Sequence, residues 1–288
     1  MFLPRRILAE KLLWFLAEDI GQGDVTTTLI VPSRAKADAK VIAREAGVVA
    51  GIEEAEVLLD ALKLEFKAYV MDGADVMSGQ TLLEVSGDAR TILSAERVLL
   101  NLISRMSGIA TATRRIVEKI KSDGYKARVT CTRKTAPGLM YFDKKAVLIG
   151  GGDPHRLHLD DMILIKDNHI AIAGSVENAV KIAREKASFS KKIEVEVSDV
   201  GSVLAAAKAG ADIIMLDNFS PDKVDEAVSL LRREGFLGKV LIEVSGRITA
   251  ENVIDFASRG VDIISLGEIT HSVKAFDVSL EIMDFRRK

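Results

Sequence analysis

Met162-Ile163-Leu164-Ile165 is an apolar run that stops abruptly at Lys166-Asp167-Asn168-His169. It is too short for a helix and has no polar alternation, so it reads as a strand buried on both faces. The same pattern recurs along the chain. Val129-Thr130-Cys131, Ile193 to Val197, Ile213 to Leu216, Val240 to Val244 and Ile263-Ile264 each precede a segment with helical periodicity. The strand ends fall at Arg133, Lys166, Glu196, Asp217, Ser245 and Gly267, spaced 21 to 33 residues apart, which suits successive βα units. In a parallel βα barrel every strand points the same way, so these six ends converge on one mouth. Six legible strands fit an open, incomplete barrel better than a regular eightfold one. The alternative is a doubly wound sheet, which would spread the same ends along a line.

Working outward, the first third of the chain has a different rhythm. Pro4 followed by Ile7, Leu8, Leu12, Leu13, Phe15 and Leu16 predicts a helix with one apolar face. Gly21-Gln22-Gly23-Asp24 and the Thr26 to Thr28 run are expected to break it. Short β-rich segments follow at Lys40 to Ile42, Val48 to Ala50, Leu64 to Val70 and Thr81 to Val85, with a helical insert from Ile52 to Leu62. This is the pattern of an α+β layered domain. From Thr91 to about Lys121 apolar residues recur at helical spacing, and Ser107-Gly108 is expected to split that stretch into two helices. The expected organisation is therefore an N-terminal domain over 1–108 and a catalytic α/β barrel over 109–288, with the C-terminal tail able to pack back on the first domain.

Composition narrows the function. A hydrophobic fraction of 48% in 288 residues is enough to build a buried core. Forty Lys+Arg stand against 42 Asp+Glu, so nucleic acid is not the default partner. The lone Cys131 excludes an internal disulfide framework and reads as a buried strand residue in a reducing compartment. No apolar run approaches the ~18 residues of a membrane span, and residues 1–10 lack the apolar core of a signal peptide. A cytoplasmic protein is expected.

The barrel mouth gathers Arg133, Lys134, Arg156 and Lys166, the carboxylates Glu196 and Asp217, and the turns Ser245-Gly246 and Leu266-Gly267. Guanidinium forks match planar carboxylates, while Lys134 and Lys166 supply point charges for phosphate or a second carboxylate. The glycines let backbone N–H groups near helix starts approach a phosphate. The two carboxylates could be structural ion-pair partners. They could instead hold Mg²⁺ beside a pyrophosphate, or stabilise a developing positive centre. His155 and His158 have no thiol partner at zinc spacing. A Ser245/His271/Asp217 triad is formally available but lacks the nucleophile-elbow motif.

Several motifs, in order along nearly the whole chain, resemble quinolinate phosphoribosyltransferase. They are Glu18-Asp19-Ile20-Gly21 with Gly23-Asp24-Val25-Thr26, Glu96-Arg97-Val98 with Leu100-Asn101, and Ser107-Gly108-Ile109-Ala110-Thr111. Thr132-Arg133-Lys134-Thr135, Gly150-Gly151-Gly152 leading to His155-Arg156, and Ile165-Lys166-Asp167-Asn168-His169 follow. The series closes with Glu194-Val195-Glu196, Leu216-Asp217-Asn218, Ser245-Gly246 and Thr270-His271-Ser272. The resemblance implies an N-terminal α/β sandwich plus an open barrel, working as a homodimer or an assembly of dimers with shared sites. It implies condensation of quinolinate with phosphoribosyl pyrophosphate to give nicotinate mononucleotide, pyrophosphate and carbon dioxide in NAD biosynthesis.

By the same resemblance Arg133, His155, Arg156 and Lys166 would hold the two quinolinate carboxylates beside Thr132, with Arg97 reaching in from the partner subunit. Lys134, Ser245 and Gly267 would meet the donor's phosphates, with Gly246, Arg247, Leu266, Glu268 and His271 in the surrounding loops. Glu196 and Asp217 would sit near the ribose and the Mg²⁺-pyrophosphate. The chain departs from the family pattern at Met140, Pro154, Arg247 and Glu268. Two alternatives remain: a related phosphoribosyltransferase for another pyridine or pyrimidine acid, and a non-catalytic barrel that binds phosphorylated metabolites.

Overall fold

The computed structural model describes residues 3–286. The chain divides into two compact units, Met1–Ala112 with Leu148–Gly150 and Val273–Lys288, and Thr113–Val147 with Gly151–Ser272.

In the first unit, α1 (Arg5–Ile20) follows Pro4 and buries Leu8, Leu12 and Leu16, a stripe at four-residue spacing. The Thr26 to Thr28 run does not simply end the helix. It forms a short second one, α2 (Val25–Ile30), because the Asp24 carboxylate accepts from Thr27 N–H at 2.9 Å and caps it. Next come β1 (Lys36–Ala43), β2 (Gly47–Val48), α3 (Ile52–Ala61), β3 (Glu65–Ala68), β4 (Asp75–Val76) and β5 (Thr81–Asp88). Alternating residues of β1 and β5, with Leu59 and Ile52 of α3, make the core.

The expected break at Ser107-Gly108 is absent: α4 runs unbroken over Ala89–Ser122 and crosses the 112/113 division. The small residues serve close packing. The Ser107 hydroxyl accepts from Ala50 N–H at 2.9 Å, and Thr111, one turn on, accepts from Val48 N–H at 2.9 Å. These hydroxyls satisfy backbone N–H groups that the β2–β4 pairing leaves over. A Cβ at Gly108 would overlap the Lys274 carbonyl oxygen.

The second unit alternates strands and helices: β6 (Arg128–Cys131), α5 (Met140–Ile149), β7 (Ile163–Ile165), α6 (Asp167–Ala173) and α7 (Val176–Lys186). It continues through β8 (Ile193–Val197), α8 (Val200–Ala209), β9 (Ile213–Asp217), α9 (Pro221–Arg233), β10 (Leu241–Ser245), α10 (Val253–Ala257), β11 (Ile263–Leu266) and α11 (Glu268–His271). Ser175, Asp199 and Ser220 each cap the following helix by accepting a backbone N–H. All six strands are parallel, in the order β6-β11-β10-β9-β8-β7.

That order separates the two sequence-level alternatives. From β7 to β11 each strand adds beside its predecessor in one direction, so right-handed crossovers place the helices on one face. A doubly wound sheet would reverse direction partway. β6 sits beside β11 rather than β7, the order of a ring cut at one point. This is the open barrel. The last strand, β12 (Val278–Arg286), belongs to the first unit, pairing antiparallel with β1 in a sheet ordered β12-β1-β5-β3.

Candidate active site

Side chains alternate along a strand, so residues two apart share a face. One face of the barrel sheet carries Leu164 and Lys166, Glu194 and Glu196, Met215 and Asp217, and Glu243 and Ser245, with Ser265 on β11. The register aligns them: Ser245 lies opposite Asp217, and Glu196 opposite Met215. All of these except Glu194 line one cavity of about 560 Å³, together with Thr132, Arg133, Lys134, His155, Arg156, Gly246 and Arg247. Eleven of the site residues expected from sequence are in that lining.

The polar groups are paired in a definite pattern. Lys166 Nζ donates to Glu196 Oε2 at 2.8 Å, and Asp217 Oδ2 accepts from Asn218 Nδ2 at 2.7 Å. The Lys166 N–H donates to His169 Nδ1 at 2.9 Å, so His169 closes the first turn of α6 and is committed to a structural bond. Gly246 has φ +92°, and a Cβ there would come within 2.5 Å of the Asn218 side chain and 2.8 Å of its backbone N. Arg247 also has a left-handed backbone, φ 52°, the conformation for which glycine is favoured.

A second loop brings in His155 and Arg156. Asp153 forms a parallel bridge with Thr130 of β6, and its carboxylate accepts from His155 N–H at 2.8 Å. Lys144, wholly buried on α5, donates to the Pro154 carbonyl and lies 3.6 Å from Cys131 Sγ. Gly152 has no room for a side chain, since a Cβ would come within 2.8 Å of Thr113 and 2.9 Å of Val147. The loop is thus fixed at both faces. Burial pushes the Cys131 thiol up and the Lys144 ammonium down in pKa, so neither carries its charge easily. Burial, with Arg133 nearby, also lowers the Arg156 pKa.

His155 meets two carboxylates, Glu194 and Glu243, that are not among the residues expected at the site from sequence. Its Nε2 lies 3.1 Å from Glu243 Oε2 and 3.3 Å from Glu194 Oε2, and both glutamates are completely buried. One N–H points at one acceptor. It serves Glu243, and Glu194 is held by charge without a hydrogen bond. Burial alone would discharge the ring. The two carboxylates outweigh it and the pKa is pushed up to about 10. The signal was present in sequence: a carboxylate in the middle of a strand rather than at its end, at Glu194 and again at Glu243.

The remaining expected residues lie outside the lining. Leu266 is buried at the end of β11, and Gly267 packs against His271 and the Lys134 side chain. Glu268 Oε1 accepts from Ala250 N–H at 3.0 Å, tying the loop after β10 to α11. His271 bonds Ser272 at 2.6 Å rather than Ser245, and no serine triad forms. Arg97 stands exposed on α4 in the first unit, 3.3 Å from Glu96.

An open α/β barrel whose mouth sets four cations against two strand-end carboxylates is a barrel enzyme for polyanionic substrates. Family comparison narrows this. The model of the quinolinate phosphoribosyl transferase C-terminal domain matches residues 109–281, and that of the N-terminal domain matches residues 24–107. A probable nicotinate-nucleotide pyrophosphorylase [carboxylating] of Archaeoglobus fulgidus is 47% identical over 91% of this chain and 98% of its own length. The nicotinate-nucleotide pyrophosphorylase [carboxylating] of Homo sapiens is 34% identical over 98% of this chain and 94% of its own. The solved structure of the nicotinate-nucleotide pyrophosphorylase from Francisella tularensis superposes with a TM-score of 0.89 at 39% identity, covering 98% of each chain. The chain belongs to the quinolinate phosphoribosyl transferase family.

Proposed function

We propose that the barrel pocket carries out its family's reaction, transfer of a phosphoribosyl group to quinolinate with loss of carbon dioxide. The observation that supports it is the convergence of Arg133, Arg156, Lys134 and Lys166 with Glu196 and Asp217 on one cavity. Arg133, Arg156, His155 and Lys166 hold the two carboxylates of the pyridine and fix the ring nitrogen toward the sugar. Lys134 and the backbone N–H groups at Ser245-Gly246 and Gly267 receive the donor's phosphates. Glu196 and Asp217 face the ribose, where their negative charge stabilises the oxocarbenium-like centre left as pyrophosphate departs. The ring nitrogen attacks that centre and becomes quaternary. It then draws in the electron pair of the bond to the neighbouring carboxylate, which leaves as carbon dioxide, and the ring carbon takes a proton. No protein nucleophile is needed.

Glu196 and Asp217 offer the hard oxygen donors that Mg²⁺ prefers, and two carboxylates completed by phosphate oxygens and water suit its coordination. The ion, when bound, neutralises charge on the leaving pyrophosphate. The assembly is a homodimer, or several dimers, in which the partner subunit's Arg97 completes the quinolinate end. The location is cytoplasmic; no described helix is long and apolar enough to cross a membrane.

Incubating carboxyl-labelled quinolinate, phosphoribosyl pyrophosphate and Mg²⁺ with the protein should release labelled carbon dioxide. Nicotinate in a parallel reaction should give no comparable turnover. Tight binding without turnover, or preference for nicotinate, would overturn this reading.

A further inference from the structure

Two fully buried carboxylates, Glu194 on β8 and Glu243 on β10, lie on the barrel's inner face on either side of β9. An unpaired buried carboxylate costs several kcal/mol, and burial with Glu243 nearby raises the Glu194 pKa, so the pair stays charged only with a cation against it, the role open to His155. Among the described residues no lysine or arginine nitrogen comes within 4.0 Å of either; His155 Nε2 reaches both, at 3.3 and 3.1 Å. Glu243 is itself oriented. Its other oxygen accepts from Ser265 Oγ at 2.5 Å, and Ser265 Oγ in turn accepts from Thr130 Oγ1 at 2.5 Å. The hydroxyl chain, the carboxylate and the ring form one line from β6 through β11 and β10 to the loop carrying His155.

We propose that Glu243 and Glu194 are positioning residues that hold the His155 ring by its Nε2 edge and hold it as a cation, so that Nδ1–H is offered to a substrate carboxylate. The proposal rests on the reading of His155 as a quinolinate ligand and adds the two residues that make it one. The chemistry turns on the second nitrogen. With Nε2–H committed to Glu243, a neutral ring would present a lone pair at Nδ1 and repel an anion. Only the imidazolium has a proton there to donate. The charged groups around the ring are Glu194 from β8, Glu243 from β10 and, next to it in its own loop, Arg156, which faces Glu194. In the same loop Asp153 accepts from the His155 backbone N–H at 2.8 Å, and Lys144 from α5 donates to the Pro154 carbonyl.

The sign of the pH effect follows. With both carboxylates in place the His155 pKa is near 10, so the ring stays charged from pH 6 to 9. Replacing both Glu194 and Glu243 by glutamine removes the two groups that raise the pKa and leaves the burial that favours the neutral ring, so the proton is lost within the neutral range.

The test uses ¹⁵N-histidine-labelled full-length protein without substrate, with the His155 signals assigned by their loss in His155→Asn. In the wild type both ring nitrogens should stay protonated from pH 6 to 9. In the double variant Glu194→Gln/Glu243→Gln the ring should titrate with a midpoint at or below about 7. In the same variant the quinolinate KM should rise about tenfold between pH 6.5 and 8.5, while that for phosphoribosyl pyrophosphate stays level. If the double variant does not fold, Glu243→Gln alone should lower the midpoint by a smaller amount. A wild-type His155 that titrates near its ordinary value overturns the proposal, as does a quinolinate KM loss equal at every pH. Labelled carbon dioxide release by the wild type tests the underlying reaction separately, so failure of one is not read as failure of the other.

Discussion

Gly246 shows how a single residue can be fixed by its neighbours. Its φ of +92° is unfavourable for any side chain, and a Cβ would press on the Asn218 side chain and backbone. Asn218 N–H donates to the Ser245 carbonyl at 2.9 Å, so neither partner can retreat without breaking the turn. Gly246→Ala should lower kcat/KM for phosphoribosyl pyrophosphate at least about tenfold, equivalent to about 1.4 kcal/mol of transition-state binding, with a smaller effect on quinolinate KM. Steady-state kinetics with each substrate varied would check it. Sequence identified Arg133, Lys134, Arg156, Lys166, Glu196 and Asp217 because each ends a strand or sits in the short loop feeding the mouth. It gave Glu194 and Glu243 no role because their importance lies in a three-way contact between segments far apart in the chain.

Secondary-structure elements were legible where one periodicity dominates. The six barrel strands are short apolar runs whose neighbours are helices, and nothing local competes with that reading. α4 is the instructive exception. Ser107-Gly108 has the local character of a breaker, and its outcome depended on what packs against it. Ala50, Val48 and the chain at Lys274 come close enough that only small residues fit and their hydroxyls are used. Replacing an interior helix glycine by alanine usually stabilises by up to about 1 kcal/mol. Here the sign should reverse: Gly108→Ala should destabilise by about 1–3 kcal/mol, because the methyl group meets a carbonyl oxygen. Urea unfolding of the two proteins gives the answer, and an unchanged or raised midpoint would refute the close-approach argument.

At the scale of the whole molecule, the proposed dimer with shared sites makes a prediction that no single chain can satisfy. Arg97→Ala and Lys134→Ala should each be nearly inactive alone. Co-expressed, they should recover roughly a quarter of wild-type turnover, the share of intact sites expected from random pairing in a two-fold dimer. Recovery would fail if each subunit supplied its own Arg97. The sequence by itself determined the alternation of strand and helix, the end of each strand at which polar residues collect, and the chemistry those residues share. Side-chain period and residue charge are local properties, so one strand can be read without knowing its neighbours. Only the tertiary structure decided that the sheet is an open ring, that β12 pairs with β1, and that the breaker-like Ser107-Gly108 continues a helix. It alone placed two buried glutamates against His155. Those outcomes depend on contacts between residues distant in the chain, and a buried charge acquires its meaning from the group that faces it.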